Sequence, residues 1–339
     1  MKAAVYTSKA HVEVRDVPEP ECGPGDVVVR VSHCGVCGTD LHMVLDGWAR
    51  PDSIGGHEYS GTIVTVGERV PVWMPGDRVV ATPQVEGCGS CSYCKRGRPS
   101  LCLERGKPGM DPYQGAFAEL VRVDHRQLIR IPDHLSMRAA ALAEPLAVAQ
   151  HAMTLSGVVS GERALVTGAG PIGALIIAAL RSIGVDDVVA SEPGARRRAL
   201  ARELGATAVQ PMQLESPALP FDLVDQPFHV AFECSGKNTA VSACLGQLRR
   251  GGRLVLVGTG TEQPPLDTHR VLLNELTVTG AFNYDAAGFE RAIELLASGR
   301  IDTERILEPD DVPLGGMLVA MTDLTTGVRA GKVLVRPGS

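Results

Sequence analysis

Seven residues of this sequence have the types and spacing to hold a metal ion and to move protons. Cys37, Thr39, Asp40 and His42 lie in GVCGTDLH, His57 and Glu58 in GGHEYSG, and Glu144 in AEPLAVAQHA. A thiolate, an imidazole and a carboxylate make a three-ligand zinc site with an open fourth position, and that opening separates a catalytic zinc from a structural one. Taken singly, each residue has an ordinary reading. Cys37 could be a packed thiol, as Cys34 beside it is read, and His57 could be structural. Their joint occurrence carries the chemistry.

Cys88, Cys91, Cys94 and Cys102 form C-x2-C-x2-C-x7-C. Four thiolates at short spacing match a closed tetrahedral structural zinc site, and Gly87, Gly89 and Gly97 free the backbone to wrap the ion. A ferredoxin-type iron–sulfur run has three residues before its last cysteine and a proline after it. Here seven residues precede Cys102 and Leu103 follows it. In a cytosolic chain such a cluster points to metal rather than to disulfides.

Gly168, Gly170 and Gly173 make G-x-G-x-x-G, with Pro171 and Ile172 inside the motif. The first glycine permits a tight turn, the second lets backbone approach a pyrophosphate, and the third lets a helix pack closely on its strand. The helix N-terminus then offers unpaired N–H groups and a positive dipole end to phosphates. Glu192 follows Gly173 by nineteen residues and ends the next strand. A carboxylate there can bind both adenosine ribose hydroxyls and repels a 2′-phosphate, which favours NAD over NADP.

These groups need two kinds of scaffold. The valine-rich runs KAAVY, HVEVRDV, DVVVRVSHCGV, YSGTIVTVG and DRVVATP, separated by Pro/Gly turns, predict a β-rich, barrel-like domain. From Arg163, strands such as ALVTG and VVASE alternate with helices such as PIGALIIAALRSIG, which predicts a doubly wound parallel sheet. The fold class is therefore α/β. A length of 339 residues exceeds one ordinary core and predicts two domains. The net charge of −6 argues against a nucleic-acid surface, and the run Arg196, Arg197, Arg198 reads as a solvated helix face. The longest uncharged stretch, Ala164 to Leu180, is shorter than the roughly 20 residues of a membrane span. MKAAVYTSKAHVEV lacks the apolar core of a secretory leader. A cytoplasmic location is expected, with a small molecule rather than nucleic acid or membrane as partner.

GVCGTDLH, GGHEYSGTIVTVG, the four-cysteine lobe, GAFAEL, EPLAVAQHA and GAGPIG occur in an order that resembles the zinc-dependent medium-chain dehydrogenase/reductase family along the whole chain. The resemblance implies a GroES-like catalytic domain over residues 1–145 and 281–339, with a Rossmann NAD-binding domain over 146–280. It implies two zinc ions per chain and a homodimer or homotetramer. Cys37 and His57 would bind the catalytic zinc, with Glu58 and Glu144 as direct or exchanging carboxylates. Liver-type alcohol dehydrogenases carry a second cysteine where this chain has Glu144. A carboxylate there is similar to the sorbitol, butanediol and threonine dehydrogenases, which handle polyols and secondary alcohols.

The same resemblance assigns further roles. Thr39 would take the substrate proton, with His42 passing it to solvent, and Asp40 would orient ligands. Arg197 would lie near the ribose and Lys332, in GKVLV, near the pyrophosphate. The resulting reaction is hydride transfer from a secondary alcohol to NAD. The alternatives are a zinc-free quinone or enoyl reductase of the same fold, against which Cys37, His57 and the cysteine lobe argue, and a non-catalytic nucleotide-binding zinc protein.

Overall fold

The computed structural model describes residues 1–339 apart from 84–86, 105–114, 216, 261–262, 264–265 and 286. The chain divides into two units. The first comprises Met1–Pro145, Asp285–Gly299 and Leu307–Ser339, and the second Leu146–Tyr284 and Arg300–Ile306. The family resemblance places one boundary at 280/281 and everything after it in the catalytic domain. Arg300–Ile306 goes to the second unit for a local reason: the short helix Thr303–Ile306 packs on neighbouring helices there, and Arg305 donates to the Glu203 carbonyl at 2.7 Å.

In the first unit, β-branched runs settle on pleated surfaces. The strands are β1 (Lys2–Ser8), β2 (His11–Asp16), β3 (Asp26–Gly35), β4 (Ser53–Ile54), β5 (Glu58–Val66), β6 (Arg78–Ala81), β7 (Leu120–Asp124) and β8 (Leu128–Arg130). One sheet has the order β2-β1-β4. The other runs from the closing strand Leu334–Val335 through β3, β5 and β6 to β8, with β7 also paired to β3. β3 is the hub. Val27, Val29 and Val31 from it meet Ile63, Val79, Val121 and Phe117 in the core. Its C-terminal end pairs Gly35 with both Glu58 and Leu334.

Three short helical pieces follow from local chemistry. Helix α1 (Gly38–Leu41) opens directly after β3 and continues into a π-helical turn, His42–Asp46. Helix α2 (Met137–Ala140) is capped by the Ser136 hydroxyl, which accepts from the Ala139 N–H at 3.0 Å. Helix α3 (Ala143–Ser156) carries Glu144 in its first turn.

The second unit is a six-stranded parallel sheet. Its strands are β9 (Arg163–Thr167), β10 (Asp187–Ser191), β11 (Thr207–Val209), β12 (Phe228–Glu233), β13 (Leu248–Leu256) and β14 (Thr277–Gly280), in the order β11-β10-β9-β12-β13-β14. Helices α4 (Pro171–Ser182), α5 (Ala195–Glu203), α6 (Asn238–Gln247) and α7 (Thr268–Leu273) alternate with these strands. In β9, Ala164 to Thr167 are all buried, as a strand covered on both faces must be. Order and direction are those of a Rossmann sheet.

Ile176, fully buried in α4, tests how tightly this unit is packed. Ile176→Ala is expected to lower its stability by about 2–5 kcal/mol, from lost transfer energy and the cavity left behind. Urea unfolding followed by fluorescence and circular dichroism would measure it. A loss below about 1 kcal/mol would mean the helix collapses onto the sheet and refills the space.

Candidate active site and metal centres

The first centre forms where β3 ends and β5 begins. Cys37 precedes α1, and its N–H donates to Asp40 Oδ2 at 2.9 Å. Asp40 is buried, and its Oδ1 lies 3.8 Å from His57 Nδ1. One carboxylate thus holds the Cys37 backbone by a hydrogen bond and stands at ion-pair distance from His57. Glu58, with no exposed surface, opens β5 opposite Gly35. A Cβ at Gly35 would stand 2.2 Å from Glu58 Oε2, so only glycine leaves the carboxylate its room. Ligand atoms of Cys37, His57 and Glu58 all lie within 4.8 Å of one another.

Glu144 is buried but does not join that group of three. Burial pushes its carboxyl up to about 7; Glu58 and Asp40 push the same way, while His57 and Lys332 oppose them. Burial works against a charged His57 as well, but Asp40 and then Cys37 outweigh it and hold the imidazole well above its usual range. A mixed sulfur, nitrogen and oxygen set, with two further buried carboxylates close by, fits a divalent zinc ion.

Lys332 requires a correction. The sequence reading put it near the pyrophosphate. It is instead 2 % exposed, and its ammonium donates to Glu58 Oε1 at 2.7 Å, to Glu58 Oε2 at 2.6 Å and to the Val36 carbonyl at 3.0 Å. All three of its donors are used, as burial of an ammonium demands. Pairing of the closing strand with β3 brings it there.

The second centre is the cysteine lobe. Cys91 Sγ is 3.5 Å from Cys94 Sγ and 3.9 Å from Cys102 Sγ, and the four sulfurs lie within 4.8 Å of one another. Sulfurs held at about 2.3 Å from one zinc sit about 3.8 Å apart, so the set fits. Backbone N–H groups already point at the sulfurs: Cys91 N to Cys88 Sγ, and both Cys88 N and Glu104 N to Cys102 Sγ, each at 3.3 Å. Such donors stabilise thiolates.

The glycine motif sits between β9 and α4. Gly168 has φ +83°, a conformation that favours glycine. A Cβ on Gly173 would lie 2.0 Å from the Gly168 carbonyl, so the close helix–strand contact excludes any side chain there. Pro171 opens α4 at its first turn, with half-buried Ile172 next to it. Glu192 is buried: Oε2 accepts from the Ala169 N–H at 2.9 Å and Oε1 from the Gly194 N–H at 2.7 Å. Arg197 reaches over the loop, its Cζ 3.8 Å from where a Gly170 Cβ would be.

Thr39 is exposed on α1, and His42 is half-buried at the start of the π-helical turn. The His42 N–H donates to the Thr39 carbonyl, but among the described residues no side-chain hydrogen bond joins them. His42 Nδ1 instead pairs with Asp46 Oδ2 at 2.6 Å, and its ring stacks on Trp48. The sequence reading missed Asp46 and Trp48. The available signals were the four-residue spacing of His42 and Asp46 and the Asp46–Gly47 pair, which marks a turn.

Two family models match this chain: the alcohol dehydrogenase GroES-like domain over residues 23–133, and the zinc-binding dehydrogenase over residues 171–298. It is 35 % identical to 2-dehydro-3-deoxy-L-galactonate 5-dehydrogenase of Pseudoalteromonas atlantica, across 92 % of this chain and 91 % of that protein. It is 32 % identical to sorbitol dehydrogenase of Bacillus subtilis, across 91 % and 89 %. Among solved structures it resembles a protein from Sinorhizobium meliloti described as a zinc-binding dehydrogenase bound to NADP. That likeness has a TM-score of 0.86 and 32 % identity over 99 % of both chains.

The ion pair at the first centre yields a test. Lys332→Met leaves Glu58 buried without its partner, and the expected loss of stability is about 3–5 kcal/mol. The double variant Lys332→Met with Glu58→Gln should recover part of that loss in thermal unfolding. A single variant as stable as wild type would mean that another group or water neutralises Glu58.

Proposed function

This chain belongs to the zinc-dependent medium-chain dehydrogenase/reductase family and is an alcohol or polyol oxidoreductase acting on CH–OH donors, and from that premise we propose its substrate class, cofactor and site roles. The substrate is a secondary alcohol with a neighbouring polar group, such as a vicinal diol, sugar alcohol or 3-hydroxy amino acid. The cofactor is NAD. The observation that carries this reading is the convergence of Cys37, His57 and Glu58 within 4.8 Å around a carboxylate-bearing site.

Cys37, His57 and Glu58 would hold a catalytic zinc, with Glu144 as the nearby buried carboxylate, and Cys88, Cys91, Cys94 and Cys102 a structural one. When bound, the catalytic zinc serves as a Lewis acid that lowers the pKa of an alcohol. Asp40 keeps Cys37 and His57 in position from behind. Lys332 donates to both oxygens of Glu58 and balances its charge inside the unit. Thr39 accepts the hydroxyl proton of the substrate. His42 delivers a proton to water, since imidazole exchanges protons near neutral pH. Gly168, Gly170, Ile172 and Gly173 bring backbone N–H groups to the pyrophosphate, Pro171, which has no N–H, starts the helix that carries them, and Arg197 lies beside them. Glu192 faces the adenosine ribose, and its fixed charge disfavours a 2′-phosphate.

A homodimer or homotetramer is supported by the exposed apolar side chains Leu266, Leu272, Leu273 and Phe282 of the second unit. No helix among the described residues is long and apolar enough to cross a membrane. No disulfide occurs among those residues, which suits a cytoplasmic protein.

Metal analysis of the purified enzyme should give two zinc ions per chain, falling to one in Cys37→Ser. One ion in both proteins would overturn the catalytic assignment. For specificity, NAD reduction would be followed across diols, sugar alcohols, 3-hydroxy amino acids and primary alcohols, and repeated with NADP. Diols or sugar alcohols should give the highest kcat/KM, and NAD should exceed NADP by tenfold or more, on the order of 1.4 kcal/mol. Best turnover of primary aliphatic alcohols would sink the substrate reading, and equal use of both cofactors would sink the role of Glu192.

A further inference from the structure

We propose that Asp46 and Trp48 are positioning residues for His42, fixing its tautomer and ring plane so that Nε2 is the nitrogen that accepts the proton; this rests on the relay role given to His42 above. The π-helical turn begins at His42 and ends at Asp46, and its wider winding is a feature often found at functional sites. Asp46 Oδ2 lies 2.6 Å from His42 Nδ1. An ionised carboxylate only accepts, so Nδ1 carries the hydrogen and Nε2 of the neutral ring is left with the free lone pair.

Trp48 supplies the second constraint. Its ring is stacked on the imidazole, with centroids 4.8 Å apart and planes 15° from parallel. Gly47 at φ +85° turns the chain back, and the Trp48 N–H reaches the His42 carbonyl at 3.4 Å. Trp48 is nevertheless 53 % exposed. So large an apolar ring left half in water is accounted for by what it does to its neighbour rather than by core packing.

Other charged groups stand near this turn. β2 packs against it and carries His11, Glu13, Arg15 and Asp16. Arg15 is taken by Glu13 and Asp52, and Asp16 by Lys2. The stem of Lys9 lies against Gly47. Asp46 is thus the carboxylate that orients His42.

The test compares Asp46→Asn, Trp48→Leu, Trp48→Phe and His42→Ala in the zinc-loaded enzyme. The pH profile of kcat would be measured with and without added imidazole, alongside substrate KM and zinc content. An amide can donate to Nδ1 and so favours the wrong tautomer. Asp46→Asn should lower kcat below pH 7 on the order of 10-fold, with KM and zinc unchanged and imidazole restoring part of the rate. That is far less than the roughly 10⁴-fold lost at a buried triad, because the His42 side chain is 25 % exposed and water can substitute. Trp48→Leu should show a smaller loss in the same pH range, and Trp48→Phe should recover it. If His42→Ala alters the profile while Asp46→Asn and Trp48→Leu keep the wild-type one, the positioning roles are wrong. If all variants keep the wild-type profile, the relay itself is wrong, and the proposal falls with it.

Discussion

One buried ion pair holds the first centre together. Lys332 and Glu58 are 2 % and 0 % exposed, yet both are charged groups, and each makes the burial of the other tolerable. Their contact ties the closing strand to the start of β5. The Val36 N–H to Val333 carbonyl bond, at 3.0 Å, continues the same join. Cys37 follows the anchored Val36 by one residue and His57 precedes the anchored Glu58 by one. The placing of Cys37, His57 and Glu58 is therefore inherited from a cation behind them.

The second unit uses a carboxylate in a related way. Glu192 spans two backbone N–H groups, one in the glycine loop and one at the entry to α5. It thereby braces the turn of the glycine motif. Each carboxylate oxygen has lone pairs left for a sugar hydroxyl. Glu233 does similar work at the end of β12, accepting from the Ser235 and Gly236 N–H groups. This end of the sheet is thus ordered by acids that hold backbone, with Arg198 donating to the Glu192 carbonyl and Arg197 lying over Gly170.

Much of this was legible in the sequence. The valine runs fell on β1, β2, β3, β5 and β6, and the alternation after Arg163 gave the parallel sheet, because period and turn chemistry are local signals. The cysteine spacing gave the lobe for the same reason. What escaped was long-range register. Nothing near GKVLV says that Lys332 meets Glu58, 274 positions away. Nor could local pattern tell Glu58 from Glu144 as the carboxylate beside Cys37 and His57, since both follow plausible motifs and only the pairing of β3 with β5 separates them. The His42–Asp46 pair is four residues apart, a spacing that a turn or short helix brings together, but many such pairs are plain surface contacts and nothing local marks this one.

The 274-residue separation of Glu58 and Lys332 also sets an order of events during synthesis. At 5–20 residues per second, a ribosome needs roughly 14–55 seconds to travel from one to the other. For that interval the end of β3 lacks its neighbouring strand, and a carboxylate destined for the interior has no counterion. The main segment of the Rossmann unit, Leu146–Tyr284, emerges wholly within it. The counterion of Glu58 is therefore synthesised only after the main segment of the parallel-sheet unit, so the first unit cannot close around that carboxylate until late in translation.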